Sequence, residues 1–434
     1  MPSCRIIALR CLVTVTHHGG LEVRHTIAQQ TSRLVKLAND NMNDPLITAK
    51  CIVIIAHTAV SVLHTEGDKV DEKLLKSLGS FETLLQLVDT ILRHPETTYE
   101  TFSHISLLLG SAPEHGRAGF LAHSPSISFL VGCLRSTDLH TRVTGLVGAI
   151  RLHHSVSEHE SGILDTNTML ANLRRECPPV MNDTLMRYGI ARAEITIQIK
   201  AMNDFSKAVM NCAQDHDLYS LGMKIVEIIG RTEYSLTEGM VQDGNGKALD
   251  LGLPFLWWID ALPHCAKAIR EQGHPSERDA ANILDIKYFM VRSRLEEAQT
   301  LALEALKSSP GEAFYYYAMT LGADHTVGLR WAKKGLQCTG PSLTRYVRFG
   351  LLYRAIEHAG LLGLQVLEQG SKGERGWGEG FAMLKCAFED SKTFIAEAPP
   401  DTLHMATAIL WCTLLTITLN GPELSPGLGE IQVR

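Results

Sequence analysis

The stretch AANILDIKYFMVRSRLEEAQTLALEALKSSP, residues Ala280–Pro310, decides the fold. Its apolar residues recur at the spacing of one face of an α-helix, and Pro310 closes the pattern because proline lacks the N–H that a helix needs. Ala298 and Ala305 are small residues at positions where two helices would cross, and helices approach closely only at small side chains. Phe289 places an aromatic ring in the first helix. The stretch therefore predicts two antiparallel helices that end at a proline.

The residues up to Leu352 repeat this arrangement less completely. Ala332 follows Ala298 by one repeat of about 34 residues, the length of a tetratricopeptide unit. Thr344 stands at the position of the closing proline, and Pro341 lies close to it in the sequence. The segment resembles helix–turn–helix repeats of the tetratricopeptide type, although an ordinary helical hairpin with chance alanines is also compatible with it.

The resemblance also implies candidate residues in a groove. Tetratricopeptide proteins often bind a terminal carboxylate through Lys and Asn side chains on the first helices of successive repeats. At the corresponding positions this chain has Lys287 in one repeat and Tyr317 in the next, and only Lys287 fits the pattern. Lys287 and Tyr317 are therefore the groove candidates, and a groove ligand is expected to be more apolar than a carboxylate.

The first half of the chain also has helical spacing of its apolar residues. Leu-Val pairs recur in similar settings at Leu34-Val35, Leu87-Val88 and Leu130-Val131. Each pair lies in an apolar helical segment followed by a short polar turn, which resembles armadillo or HEAT repeats of about 40–47 residues. An irregular helical domain is an equally good interpretation of this half.

The expected fold class is all-α. It is an α-solenoid of stacked helical hairpins, armadillo/HEAT-like in the N-terminal half and tetratricopeptide-like in the C-terminal half. Residues 1–238 form the armadillo/HEAT-like region and residues 239–250 a turn-rich linker. Residues 251–420 form the tetratricopeptide-like region, and residues 421–434 a flexible tail.

Composition indicates a folded intracellular protein. The 434 residues are 45% apolar and 20% charged, which is typical of globular chains. The net charge of −6 argues against a general affinity for nucleic acid, because phosphate binding needs clustered Lys and Arg. The ten cysteines include no Cys-x-x-Cys pair, and Met1–Gly20 lacks the pattern of a signal peptide. We expect a reducing compartment, either cytoplasm or nucleus.

One segment is rich in metal-ligand side chains. It runs from His153 to Glu160 and includes His154 and His159. A zinc protease needs the motif His-Glu-x-x-His on one helix face, and Ile163 stands where the second histidine belongs. A solvated loop is the favoured interpretation, and a metal-dependent hydrolase is the alternative. No other catalytic, cofactor-binding or metal-ligating residue is predicted, so we expect no enzymatic activity and no cofactor in this chain.

Three features near the C-terminus carry structural expectations. Met405–Leu419 is uncharged but shorter than the roughly 20 residues of a membrane-spanning helix, so a buried helix is favoured over a membrane-associated adaptor. Gly370–Gly380 is expected to be a flexible loop. Asp401 is expected to cap the helix that begins at Thr402, since Asp is a good N-cap residue.

The C-terminal sequences LRWAKKGLQC, RFGLLYRAIEHA and FEDSKTFIAEAPPDTLHMATAILW resemble the helical region of fungal MYND-type zinc-finger proteins. The resemblance covers roughly Ala280–Asn420. In that family a finger with Cys and His ligands for two zinc ions commonly accompanies the helices and binds proline-containing peptides. The cysteines of this chain never approach that spacing, so no zinc ligand is carried over, and zinc is expected only if a MYND finger exists elsewhere in a longer product.

These observations favour a non-enzymatic, intracellular protein–protein interaction scaffold. Stacked helical hairpins form a long concave surface, and such surfaces bind peptides or helices through side chains on one face. The expected partner is a protein or peptide on that surface, with no nucleic acid and no membrane.

Overall fold

The computed structural model shows a helical protein. It describes residues 2–63, 71–154, 178–232, 239–240, 250–368, 373–425 and 429–430. These residues form 21 α-helices and a few 3₁₀ turns without a β-strand, and one isolated bridge joins Met240 and Trp257. The predicted all-α class is therefore confirmed for the described part of the chain.

The helices group into two compact units. Unit 1 comprises residues 1–157 together with residues 413–434, and unit 2 comprises residues 158–412. This division differs from the predicted linker at 239–250. That linker falls mostly on residues 241–249, which lie outside the described part, and it stays a prediction.

The boundary between the two units lies earlier in the chain than the predicted linker because residues on both sides of that linker share one core. Leu221 and Ile225, which precede it, pack in the same buried cluster as Cys265 and Leu284, which follow it. Gly222 shows how close this packing is, since a Cβ atom there would lie 2.9 Å from the Cβ atom of Cys265. The helices before residue 239 therefore belong with the C-terminal helices.

Unit 1 consists of helices packed around one long apolar helix, α4. The helices are α1 (Pro2–His18), α2 (Leu21–Ala28), α3 (Thr31–Asn39), α4 (Pro45–Leu63), α5 (Glu72–Ser77), α6 (Phe81–Leu92), α7 (Tyr99–Ser111), α8 (Pro113–Ala122), α9 (Ser124–Cys133) and α10 (Leu139–His154). The Ser80 and Thr98 hydroxyls cap α6 and α7 by accepting hydrogen bonds from backbone N–H groups. Helix α4 contacts α1, α2, α3 and α7, so its apolar surface is covered from several sides.

Among the described residues, α4 alone is long and apolar enough to cross a membrane. Its most apolar window is 72% buried inside the protein, and a core helix passes the same test of length and composition. The segment that the sequence singled out forms a shorter helix, Met405–Asn420, of 16 residues. Trp411 and Leu415 of that helix are fully buried, as expected for a core helix.

Unit 2 contains the segment in which the sequence predicted helical hairpins. Its helices are α11 (Pro179–Tyr188), α12 (Glu194–Asp215), α13 (Leu218–Ile229), α14 (Ala261–Gln272), α15 (Arg278–Val291), α16 (Leu295–Ser308), α17 (Ala313–Thr320), α18 (His325–Gly335), α19 (Arg345–Glu368) and α20 (Gly373–Glu397). A last helix, α21 (Met405–Asn420), begins in unit 2 and ends in unit 1. From α13 onward each helix packs against its successor up to α20.

The small residues of the predicted repeats lie in the core. Ala298, Ala305 and Ala332 are all buried, at the positions where the sequence predicted close helix crossings. Helix α16 ends at Ser308, just before Pro310, as the proline predicted. The helices α15 and α16 pack against each other, as do α17 and α18, and α16 ends near the proline that closes the pattern.

The glycine-rich segment Gly370–Gly380 is a helix over most of its length, and the prediction of a loop is wrong from Gly373 onward. Gly363 of α19 and Gly380 of α20 explain the difference. A Cβ atom on Gly380 would lie 2.6 Å from Leu367 Cγ, and one on Gly363 would lie 2.9 Å from the Gly380 carbonyl oxygen. These glycines allow two backbones to approach closely, a packing role that outweighs their low helix propensity.

Two expectations at the C-terminus also differ from the structure. The Asp401 carboxylate accepts hydrogen bonds from the backbone N–H groups of Glu194 and Ile195, so it caps α12 and not the helix that follows it. In the segment predicted as a flexible tail, Leu424 is buried within the described residues. Residues 426–428 and 431–434 of that tail lie outside the described part.

Candidate functional site

A cleft of about 500 Å³ opens in unit 2. This volume falls within the range of roughly 300–1,000 Å³ that is usual for ligand sites. The cleft is lined by Ile197, Val226, Glu227, Ile229, Gly230, Arg231, Ile283, Glu312, Phe314, Pro341, Ser342, Thr344, Arg345, Tyr346 and Val347.

Most helical residues of the lining come from alternate helices of the series, and Ile197 of α12 and several residues between helices complete it. Helices α13, α15, α17 and α19 pack side by side, and each also packs against the helix that follows it. They contribute Ile229, Ile283, Phe314 and Val347 to the cleft, in that order. The cleft therefore lies on the face formed by the first helices of successive hairpins.

The floor of the cleft is apolar and belongs to the core of unit 2. Ile229, Phe314 and Val347 are each exposed by no more than 2% and belong to the central core cluster of unit 2. Apolar surface of this kind favours apolar side chains of a ligand, at roughly 25 cal/mol per Å² removed from water.

Arg345, the first residue of α19, supplies a positive charge at the cleft. Its guanidinium carbon lies 5.2 Å from the ring centroid of Tyr188 and 5.6 Å from that of Phe349. Its Nη2 atom is buried and has no hydrogen-bond partner among the described residues. Burial lowers the pKa of Arg345, and no described carboxylate forms an ion pair with it.

Tyr346, the next residue, presents a second unsatisfied polar group. Its hydroxyl is buried without a hydrogen-bond partner in the described part of the chain. Its ring packs edge-on against the ring of Tyr317, with centroids 6.2 Å apart. Two neighbouring residues at the start of α19 therefore hold hydrogen-bonding atoms without partners beside an apolar floor.

The other charges of the cleft are partly compensated. Arg231 forms ion pairs with Asp204, at 3.2 Å, and with Glu227. Glu312 accepts a hydrogen bond from the backbone N–H of Phe314, and burial raises the pKa of this carboxyl. Arg231 has two acidic neighbours, whereas no carboxylate among the described residues forms an ion pair with Arg345, so within that part of the chain the charge of Arg345 is uncompensated.

The two groove candidates from the sequence lie inside the protein. Lys287 on α15 is 1% exposed, and Tyr317 on α17 is 8% exposed. Neither side chain lines the cleft. The ring of Tyr317 contacts the ring of Tyr346, which lines the cleft. The same ring leaves no room for a Cβ atom on Gly350. Lys287 and Tyr317 lie on α15 and α17, which both contribute other residues to the cleft.

Arg345 and Tyr346 were missed by sequence reasoning. Both stand at the start of a helix, in the segment that follows Pro341 and Thr344. An Arg-Tyr pair at the start of a helix does not belong to a recognised sequence motif. Its position at the cleft depends on how α11, α17 and α19 pack, so local sequence carries no signal for it.

The metal-ligand segment His153–Glu160 lies almost entirely outside the described residues, which end at His154 and resume at Pro178. Within the described residues, no group of three or more His, Cys, Asp or Glu side chains is placed to hold a metal ion. A second, smaller cavity of about 240 Å³ lies in unit 1, where Lys50 and Glu100 form an ion pair at 3.6 Å.

Comparison of the chain with protein-family models, with curated proteins and with solved structures gave no match. The geometry of the cleft is therefore the basis for a functional proposal.

Proposed function

We propose that this protein is a non-enzymatic scaffold that binds a segment of a partner protein in the cleft of unit 2. In this proposal the C-terminal helices are tetratricopeptide-like repeats and the N-terminal helices are armadillo/HEAT-like, together an α-solenoid. The observation that carries the proposal is the origin of the cleft lining, which comes from the first helices of successive hairpins, α13, α15, α17 and α19.

Helical-repeat proteins support this proposal on physical grounds. When hairpins stack, one helix of each pair lines a continuous surface, and side chains on that surface bind peptides or helices. The apolar floor at Ile229, Phe314 and Val347 would hold apolar side chains of the partner. The depth of these residues in the core means that the surface is formed before a partner arrives, which lowers the entropy cost of binding.

The charge of the cleft favours a particular partner chemistry. The guanidinium of Arg345 has no acidic partner among the described residues, and arginine is well suited to carboxylates because its planar group donates two parallel hydrogen bonds. We therefore expect the partner segment to place an acidic group beside apolar side chains. The hydroxyl of Tyr346 would offer a further hydrogen bond.

We also propose that unit 2 is related to the helical region of fungal MYND-type proteins, and that the protein is located in the cytoplasm or nucleus. The three sequences that carry the resemblance lie on the consecutive helices α18 to α21. They therefore correspond to one continuous part of the hairpin series, adjacent to the start of α19 where Arg345 lies.

The test is affinity capture from native extract of the source cells, with quantitative mass spectrometry of the proteins retained. Arg345→Glu reverses the charge at the cleft, and its control is Arg330→Glu at an exposed position of α18 outside the cleft. Gly230→Phe fills the cleft, since Gly230 has ordinary space around it, and its control is Gly378→Phe at an exposed position of α20.

We expect a defined protein partner that is retained by the wild type and both controls and is lost from both cleft variants. A purified acidic, apolar segment of that partner should then bind the wild type and not Arg345→Glu. The proposal is overturned if the same proteins are retained by all five chains, or if the wild type retains none beyond background.

A further inference from the structure

Two histidines of unit 1 face each other across a helix interface. His57 lies on α4 and His104 on α7, and their Nε2 atoms are 3.1 Å apart although the residues are 47 positions apart in sequence. Both side chains are partly exposed. This pair lies outside the cleft and has no part in the proposed function.

The second nitrogen of each ring is held by the protein. His104 Nδ1 lies 2.7 Å from the Glu100 carbonyl oxygen, and a carbonyl only accepts, so Nδ1 carries the proton. In neutral His104 the Nε2 atom then has no proton and carries a lone pair on the side of His57. His57 Nδ1 lies 3.0 Å from the hydroxyl oxygen of Thr16.

The Thr16 hydroxyl allows two proton arrangements at His57. In one, Thr16 donates to Nδ1 and the Nε2–H group of His57 donates to His104. In the other, Thr16 donates to the carbonyl oxygens of Leu12 and Val13, each 3.0 Å away, and accepts from Nδ1. Both Nε2 atoms then carry lone pairs 3.1 Å apart, and a cation bound to both, off the line that joins them, would relieve their repulsion.

The geometry matches coordination of a metal. Imidazole nitrogens bind Zn²⁺ at about 2.0–2.1 Å, so two ligands at adjacent corners of a tetrahedron or octahedron are about 2.9–3.4 Å apart. Metal-ligating histidines almost always donate their other N–H to an oxygen, as His104 does to Glu100 and His57 can to Thr16. We propose that His57 and His104 bind one borderline divalent metal ion, of the class of Zn²⁺, Ni²⁺ and Cu²⁺, through their Nε2 atoms.

When the metal binds, the proton of His57 stands on Nδ1 and is donated to Thr16, so both rings remain neutral and no proton is lost. Imidazole is a good ligand for metals of this class. The described residues supply only these two ligands, so water completes the coordination, and binding is weaker than at a four-ligand structural zinc site.

The test uses the tag-free full chain with Cu²⁺ and Zn²⁺ as probes. Calorimetry measures Zn²⁺ affinity, and electron paramagnetic resonance reports nitrogen coordination of Cu²⁺. We expect one site per chain with nitrogen ligands, and at least a tenfold loss of affinity in His57→Gln and in His104→Gln. His140→Gln, on an exposed face of α10, is the matched control and should bind as the wild type does.

Thermal unfolding with and without Zn²⁺ separates binding from misfolding. Zn²⁺ should raise the Tm of the wild type and of His140→Gln but not that of His104→Gln, whose partly exposed position tolerates the change. The proposal is overturned if the wild type binds no metal, if His104→Gln binds as tightly as the control, or if the signal is lost only when the exposed His17 and His18 are replaced.

Discussion

Asp401 caps a helix that begins 207 residues before it: its Oδ1 atom accepts a hydrogen bond of 2.9 Å from the backbone N–H of Glu194. Its Oδ2 atom accepts a second bond of 2.9 Å from the N–H of Ile195. Both donors belong to the first turn of α12, where N–H groups have no partner within the helix. A negative charge at this end also interacts favourably with the helix dipole. One side chain from the end of unit 2 thereby stabilises a helix near its beginning.

Replacing Asp401 with alanine should therefore destabilise unit 2. Loss of an N-cap costs about 0.5–2 kcal/mol, and the upper part of this range is expected because two backbone donors lose a charged acceptor. Urea unfolding measures the change in free energy. Asp183→Ala, at an exposed position of α11, is the control and should change the free energy by less than about 0.5 kcal/mol. Equal effects of the two substitutions would show that the cap is not formed in solution.

The contact between α19 and α20 predicts opposite effects for two glycines of one helix. Gly378 is open to solvent, so Gly378→Ala should stabilise the protein by about 0.5–1 kcal/mol through helix propensity. A Cβ atom on Gly380 would meet Leu367 at 2.6 Å, so Gly380→Ala should cost about 1–3 kcal/mol through overpacking. Urea unfolding of both variants checks the sign of each change. Shifts of the same sign would mean that the helices are not in close contact at Gly380.

Much of the fold could be predicted because it depends on local signals. The break between α12 and α13 is one example: α12 ends at Asp215, His216 takes a left-handed conformation with φ 57°, and Asp217 caps α13. Helical spacing, turn residues and the closing proline of the repeat act within a few residues, so the sequence displays them directly.

The features that could not be predicted depend on contacts between distant residues. Asp401 looks like the cap of the next helix, and only packing shows that it caps α12. Gly380 looks like part of a loop until Gly363 lies against it. The cleft has the same origin, since Arg345 acquires its position only when α11, α17 and α19 assemble.

The buried cysteines should be inert toward thiol reagents while the protein is folded. Burial raises the pKa of Cys51, Cys133 and Cys265 to about 12. At pH 8 only about one such thiol in ten thousand is ionised, and the thiolate is the reactive form. Cys4 and Cys11 are exposed and should react within the first phase of labelling. Iodoacetamide labelling with peptide mass spectrometry, before and after addition of denaturant, distinguishes the two groups. Rapid native labelling of Cys51 or Cys265 would contradict the buried cores.

Two arginines of α19 should respond very differently to replacement by methionine. Arg354 is buried beside Glu357, with an N–O distance of 3.4 Å, and burial lowers the pKa of Arg354 to about 10. Removing it takes this partner from the Glu357 carboxylate, whose side chain is 14% exposed, so Arg354→Met should cost about 3–5 kcal/mol. Arg345 has no acidic partner among the described residues, and methionine can keep its contacts with the rings of Tyr188 and Phe349. Arg345→Met should therefore change the free energy of unfolding by less than about 1 kcal/mol.

The contrast between these arginines also separates a structural from a binding role for Arg345. A charge that contributes little to stability but is needed to retain a partner is the pattern expected of a residue whose counter-charge comes from a ligand. Urea unfolding and partner capture on the same two variants test this directly. A loss of stability in Arg345→Met comparable to that in Arg354→Met would show that Arg345 is held by the protein itself. The cleft would then have no uncompensated charge to offer an acidic segment, and the expected chemistry of the partner would have to be abandoned.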